Sequence, residues 1–211
     1  MTQVAENNRD RISRRQVDKF AERRAQLADA ALLTLSRLGY ARTSLREIAQ
    51  NSEFSHGVLH YYFRDKADLI MACVRQYNAY CVTRYDQIVA TSRSADELKR
   101  DFAAGLAKTL REDTAMHRLW YDLRTQSMFE QSFQADVAEI AQSLERMIWR
   151  IVSKFAELRG VTPALTSPAA YAVYDGLFQH ALFRYLAGYA SAVAALEQEV
   201  PRVLDLIVPA A

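Results

Sequence analysis

The chain has 211 residues, 50% of them hydrophobic and 25% charged, the profile of an ordinary globular protein and not of a disordered or fibrous one. No apolar run approaches the roughly 20 residues that cross a bilayer, and the opening stretch MTQVAENNRDRISRRQ lacks an apolar secretory core, so the expectation is a cytoplasmic protein with no membrane partner. The net charge of +2 is unevenly spread: residues 1–66 carry 12 Lys/Arg against 8 Asp/Glu, and residues 67–211 carry 15 against 17, a basic bias at one end that suits an anionic partner there.

The first 19 residues form a polar arm with Arg9, Arg11, Arg14, Arg15 and Lys19. Such an arm either tracks a nucleic-acid backbone or is a solvated tail. Leu27, Ala31, Leu35 and Leu38 then recur at spacings of three and four, which predicts a helix from Val17 to Leu38, with Gly39 as its left-handed stop. A short second helix follows. Thr43 or Ser44 caps it, and Glu47 stands three residues after Ser44 as a capping box, with Leu45, Ile48 and Ala49 facing inward. Ser55 caps a third helix over His56–Tyr61, and Asp65 caps a long fourth one carrying Leu69, Ile70, Cys73, Val74 and Tyr77.

Further periodic segments cover 95–110, 113–128, 133–159, 168–187 and 190–207. Gly160 and Gly188 are breaks between them, and Ser167 followed by Pro168 reads as a cap and a first helical turn. All four prolines fall after residue 162 and no period-2 alternation stands out, so no strand is predicted. The expected fold is all-α with about nine helices: an N-terminal three-helix helix-turn-helix domain, then a C-terminal helical bundle. The expected divisions are an arm over 1–19, the helix-turn-helix domain over 20–66, and the larger helical domain over 67–211. Cys73 and Cys81 lie in one helix roughly 12 Å apart along its axis. That is too far for a disulfide, so both are expected as buried thiols.

The informative stretch is Leu27 to Tyr77. Two short capped helices after a longer one make a helix-turn-helix, in which the second short helix enters the major groove. Here that helix reads HGVLHY. His60 can bond a base edge, Val58 can touch a thymine methyl, and Gly57 is small enough for close approach. Tyr61 and Tyr62 can bond phosphates, and Lys66 stands at a helix start that already favours one. His56 and His60 are four apart and form a possible metal pair, but no Cys or His nearby in sequence completes a site. No metal and no cofactor is therefore expected.

Ala30-Ala31, Gly39-Tyr40, Thr43-Ser44, Ile48-Ala49, Ser55, Gly57, Leu59, Tyr61, Phe63, Lys66 and Leu69 together resemble the TetR family of regulators, most specifically in the run HYYFRDKADL. The resemblance covers residues 27–69. It implies a homodimer on a palindromic operator, repression, and release by a small molecule held in the C-terminal domain. It also implies phosphate contacts from Thr43, Tyr61, Tyr62 and Lys66, and base contacts from His56, Gly57, Val58 and His60, with Ser55 at the start of the same helix. One departure stands out: the family places glycine where this chain has Glu53. A left-handed backbone there would cost a non-glycine residue about 1–2 kcal/mol.

The second domain is rich in large aromatics. Most such residues at helical spacing are core, yet many Trp and Tyr together favour a cavity lined by rings. Trp120, Arg124 and Met128, with Trp149, Tyr174 and Phe178, are the expected pocket lining. Aromatic faces would suit a greasy neutral compound or a cation, whereas Arg124 would suit an anion. The resemblance implies that the last two helices, 168–187 and 190–207, pair with their mates as a four-helix bundle, and Ala169, Ala172, Val173, Gly176, Ala187 and Ala190 through Ala195 are small enough for such an approach or for packing within one chain. No Ser/His/Asp or Cys/His grouping and no phosphate-cradling glycine loop is evident, so an enzyme is not expected. The rival to ligand-controlled release is a constitutive DNA-binding repressor with a sealed core.

Overall fold

The computed structural model describes residues 17–32, 34–35, 39 and 43–210, and none of these lies in a strand. Arg9, Arg11, Arg14 and Arg15 of the basic arm, and Leu38 and Tyr40 at the first helix end, lie outside the described residues. The chain divides into two units, Met1–Gln76 and Tyr77–Ala211, so the division falls inside the long fourth helix and not at its start.

In the first unit, residues 17–32 and 34–35 are helical (α1). Gly39 follows at φ 75°, and its N–H donates to the Leu35 carbonyl at 2.8 Å. Helix α2 spans Leu45–Gln50 under a full capping box: Ser44 Oγ accepts the Glu47 N–H at 3.2 Å, and Glu47 Oε2 accepts the Ser44 N–H at 2.8 Å. Helix α3 spans His56–Tyr62, with Ser55 Oγ accepting the Val58 N–H at 3.3 Å. Helix α4 spans Lys66–Thr91, opened by Asp65 Oδ1 accepting the Asp68 N–H at 2.8 Å. These caps satisfy amide donors that a helix start otherwise leaves open.

Leu27, Ala31 and Leu35 of α1, Ile48 of α2, Leu59 of α3, and Leu69 and Ile70 of α4 are fully buried. Each buried Leu or Ile contributes about 1.5–3 kcal/mol. Arg24 ties α1 to the start of α4. Its guanidinium donates to the Tyr62 carbonyl at 3.2 Å, pairs with Asp68, and lies 4.7 Å from the centre of the Phe63 ring. Burial pushes the Asp68 carboxyl up, but the Arg24 and Arg64 bonds outweigh it and hold the group below its ordinary value. Cys73 is buried, donates to the Ala28 carbonyl at 3.1 Å, and is held as a thiol by that burial. No described non-glycine residue has a positive φ. The turn therefore accommodates Glu53 without left-handed strain.

In the second unit the C-terminal part of α4 is joined by α5 (Ala95–Glu112), α6 (Thr114–Gln126), a 3-10 turn (Gln131–Phe133), α7 (Gln134–Arg159), α8 (Ser167–Leu186) and α9 (Ala192–Ile207). Helix α5 packs on α7 and α9, and α8 lies against both α7 and α9. Phe102, Leu110, Leu123, Phe133, Ile151, Phe155, Val200 and Leu204 form the bulk of its core. Asp205 of α9 fastens that helix to its neighbours, accepting from Lys99 of α5 at 2.9 Å and Arg159 of α7 at 3.1 Å. Gly160 ends α7 at φ 67°. Helix α8 begins one residue earlier than its proline suggests: Thr166 holds the cap position, and Ser167 instead donates to Glu145 Oε1 at 2.7 Å. No described helix is long and apolar enough to cross a membrane.

Candidate functional site

The caps of α2 and α3 aim one face of α3 outward. Leu59 is fully buried and anchors the helix, whereas His56, Gly57, His60 and Tyr61 are exposed and Val58 and Tyr62 half-buried. An added Cβ at Gly57 would meet nothing within 4 Å. Glycine inside a helix costs about 0.5–1 kcal/mol relative to alanine, and nothing in the chain requires it here. The open space is on the outside.

His56 Nε2 and His60 Nε2 lie 3.1 Å apart across one helical turn, so one ring donates to the other. The described residues hold no group of three or more His, Cys, Asp and Glu that could bind a metal ion. Tyr61 and Tyr62 pack around Phe20 of α1, with ring centres 6.1 Å and 4.8 Å from it.

Beside α3 opens a groove of about 400 Å³ that brings together Thr43, His56, His60 and Lys66 with Arg46, Arg64 and Asp65. Arg46 and Arg64 are exposed and were missed by the motif reading. Their basic side chains, next to Lys66, were the available signal. Ser55 is the helix cap, with its hydroxyl engaged by Val58. Thr43 differs from expectation. It is buried, and its hydroxyl donates to the Gly39 carbonyl at 2.6 Å. A hydroxyl proton committed to the backbone cannot also be donated to a phosphate, so Thr43 braces the groove wall.

The second unit contains a cavity of about 60 Å³. Trp120 and Tyr121 of α6 and Tyr171, Tyr174, Asp175 and Phe178 of α8 line it, along with Tyr85, His117 and apolar residues of α5 and α7. Trp120, Tyr174 and Phe178 are where the sequence placed them. Arg124 is not in the lining: it sits one turn beyond Trp120 and pairs with Asp175 at 2.6 Å. Met128 is 74% exposed, because α6 ends at Gln126 and the four-residue spacing does not continue past it. Trp149 is half-buried and off the cavity, since Met147 and Ile148 are the α7 residues turned inward and Trp149 lies roughly 100° further round the helix. His117, Tyr121, Tyr171 and Asp175 went unread. The stripes 117–120–121–124 and 171–174–175–178, at spacings of one helical turn, were the signal for them.

Most polar groups around this cavity are engaged. Tyr85 Oη and Thr109 Oγ1 are 2.9 Å apart, Tyr174 Oη donates to the Val200 carbonyl at 3.2 Å, and His117 Nε2 bonds Tyr77 Oη at 3.0 Å. Burial pushes His117 down to about 4, countered in part by Asp113 and reinforced by Arg84. Burial also pushes the Tyr121, Tyr171 and Tyr174 phenols well above their ordinary range. Trp120 Nε1 and Tyr171 Oη are buried without a hydrogen-bond partner.

Helix α8 has a second apolar stripe on its other side: Val173, Gly176, His180 and Phe183 are exposed, with Leu186 and Tyr189 beyond them.

Residues 27–73 match the tetR family of bacterial regulatory proteins. The HTH-type transcriptional regulator BetI of Paraburkholderia phymatum is 32% identical over 110 residues, which is 51% of this chain and 56% of that one. This match spans only about half the relative's length. Among solved structures, a protein from Saccharomonospora viridis in complex with choline superposes with a TM-score of 0.72 at 17% identity, over 87% of this chain and 96% of that one. The transcriptional regulator FadR of Bacillus subtilis, solved with stearoyl-CoA, superposes at 0.65 with 19% identity over 88% and 98%. At such identities the likeness speaks to the fold.

Proposed function

We propose, starting from the match of residues 27–73 to the tetR family of bacterial regulatory proteins, that the protein is a transcriptional repressor that binds a palindromic operator as a homodimer and lets go when a small molecule fills the cavity of its second unit. The observation that carries the DNA-binding part is the outward face of α3. It presents exposed histidines, a glycine that nothing inside the chain requires, and a neighbouring groove with Arg46, Arg64 and Lys66. In a dimer, two such helices must stand roughly 34–36 Å apart, or a multiple of it, to enter successive major grooves. The exposed stripe on α8, with Leu206 of α9 also exposed at 76%, supports pairing through the last two helices.

Release needs a ligand that favours one arrangement of the dimer over another. Helix α4 contributes Lys66 to the groove and Tyr85 to the cavity wall. The small cavity favours the rival reading, a sealed core and constitutive binding. The unpartnered Trp120 Nε1 and Tyr171 Oη favour a ligand.

The test begins with a duplex that the full chain selects from a random pool. His60→Ala should flatten base preference on that duplex. Lys66→Ala should weaken all sequences alike and reduce the salt slope by about one. Failure of the chain to enrich any duplex would overturn the DNA-binding reading.

A further inference from the structure

We infer that the effector is a small uncharged molecule of about one ring, carrying an oxygen acceptor that the Trp120 Nε1–H and Tyr171 Oη–H engage. This rests on reading the second unit as a sensor, and it narrows the ligand to one chemical class.

The charges around the cavity are already balanced from within. Asp175 Oδ2 accepts from Arg124 at 2.6 Å, and Tyr121 Oη lies 3.1 Å from Oδ1 and 3.3 Å from the Asp175 carbonyl oxygen, so the carboxylate already has a resident counter-charge. An aromatic cage without a resident cation would suit a cationic ligand. Here the guanidinium of Arg124 occupies that role, lying 5.7 Å from the centres of both the Trp120 and Tyr121 rings. A second cation against the same rings would meet that charge and find no free carboxylate. An anion would likewise find Arg124 neutralised and His117, pushed down to about 4, uncharged near neutral pH. Either ion would leave its hydration behind without a counter-charge to replace it.

The hydrogen-bond inventory gives the other half of the ligand. Tyr85, Tyr174 and His117 each have a partner in the chain. Trp120, only 4% exposed, lines the cavity with Nε1 unpartnered, and Tyr171 Oη beside it has no partner at hydrogen-bond distance, with the Asp175 carboxylate acting on it from nearby. The indole N–H is a donor and nothing else, and burial keeps the Tyr171 phenol protonated. Two donors of this kind select a carbonyl, ether or hydroxyl oxygen. The cavity volume of about 60 Å³ corresponds to about four water positions at roughly 15 Å³ each, which limits the body that accompanies the oxygen.

Four probes of one shape separate the classes: acetophenone as neutral acceptor, α-methylstyrene as its hydrocarbon isostere, phenyltrimethylammonium as cation and benzoate as anion. Affinities are read on the full-length protein by calorimetry, with tryptophan fluorescence in support. Acetophenone is expected to bind about tenfold tighter than α-methylstyrene, the difference one buried donor makes when left unmet. Trp120→Phe and Tyr171→Phe, made separately so that one folded variant suffices, should each narrow that gap, read as the ratio of the two affinities within each variant. Tighter binding of either ion than of acetophenone would overturn the inference, as would a gap that persists in both variants or no binding of any probe at millimolar concentration. Release of the selected duplex is scored separately. Acetophenone that binds with the expected gap but releases no DNA removes the sensor reading and keeps the ligand class. Release driven by phenyltrimethylammonium keeps the sensor and removes the class.

Discussion

Gly57 and His117 show how single residues are set by what surrounds them. Nothing within 4 Å would meet a Cβ at Gly57, and the position is an ordinary right-handed helical one. Alanine there should therefore stabilise the free protein by about 0.5–1 kcal/mol, read as a raised melting temperature. In the proposed docking the same methyl would stand between the helix and a base edge, so affinity for the selected duplex should fall about tenfold. A variant that gains stability and keeps its affinity would place the DNA elsewhere on the helix. His117 acts in the opposite direction, on stability alone. Burial pushes it from 6.5 to about 4. Between those two values the unfolded chain binds a proton that the folded chain refuses, so stability drops as the pH falls through that window and levels off below it. The full loss is about 3 kcal/mol. His117→Gln, which can still bond Tyr77, should flatten the decline of melting temperature between pH 6.5 and 4, and an unchanged decline would mean that other groups carry it.

Among the elements, α5 approaches α4 closely at Gly105, where an added Cβ would lie 3.3 Å from Ile88 Cδ1 and from Tyr85 Cε1. The Ile88 methyl can turn aside. The Tyr85 ring is 2% exposed and tethered through its hydroxyl to Thr109. Overpacking costs about 1–3 kcal/mol and the gain in helix propensity returns about 1 kcal/mol, so Gly105→Ala should lower stability by about 1 kcal/mol. Because Tyr85 lines the cavity, the displaced ring should also weaken acetophenone binding. A variant with raised melting temperature and unaltered binding would show that the ring yields freely. Element ends were the most legible part of the sequence. The caps Ser44, Ser55 and Asp65 and the glycine stops Gly39 and Gly160 each act within a few residues, and all are in place. The cavity was half legible. Trp120, Tyr174 and Phe178 could be read from aromatic content, but the fate of Arg124 depends on Asp175, 51 residues away on another helix. No local pattern encodes such a pairing. The burial of Thr43 was not legible for the same reason: it is set by the fold around Gly39, not by its residue type.

For the molecule as a whole, α8 is the element that needs explaining. One side, with Ala170, Tyr174, Phe178 and Leu182, is buried in the unit's own core. The other exposes Val173 at 42%, Phe183 at 58% and Leu186 at 45%, with Gly176 and His180 between. Single exposed apolar residues are normal, but a stripe at helical spacing on a helix already buried on its far side is the mark of a partner. A second copy of the chain fits, since an isologous contact sets the same stripe against itself and close approach is possible at Gly176. Phe183→Arg would set two like charges facing each other across the two-fold. The variant should run as a particle of 24.0 kDa by light scattering, and the parent, paired as proposed, at twice that mass. Loss of the second head removes the intramolecular contribution to binding a two-fold site, so affinity for the palindromic duplex should fall by about a hundredfold or more. Binding to an isolated half-site should hold, because Phe183 belongs to the second unit and α3 to the first. Acetophenone binding should hold as well, since the substitution is on the side of α8 away from Tyr174 and Phe178. A Phe183→Arg protein that stays dimeric and grips the palindrome as before would place the interface on another face.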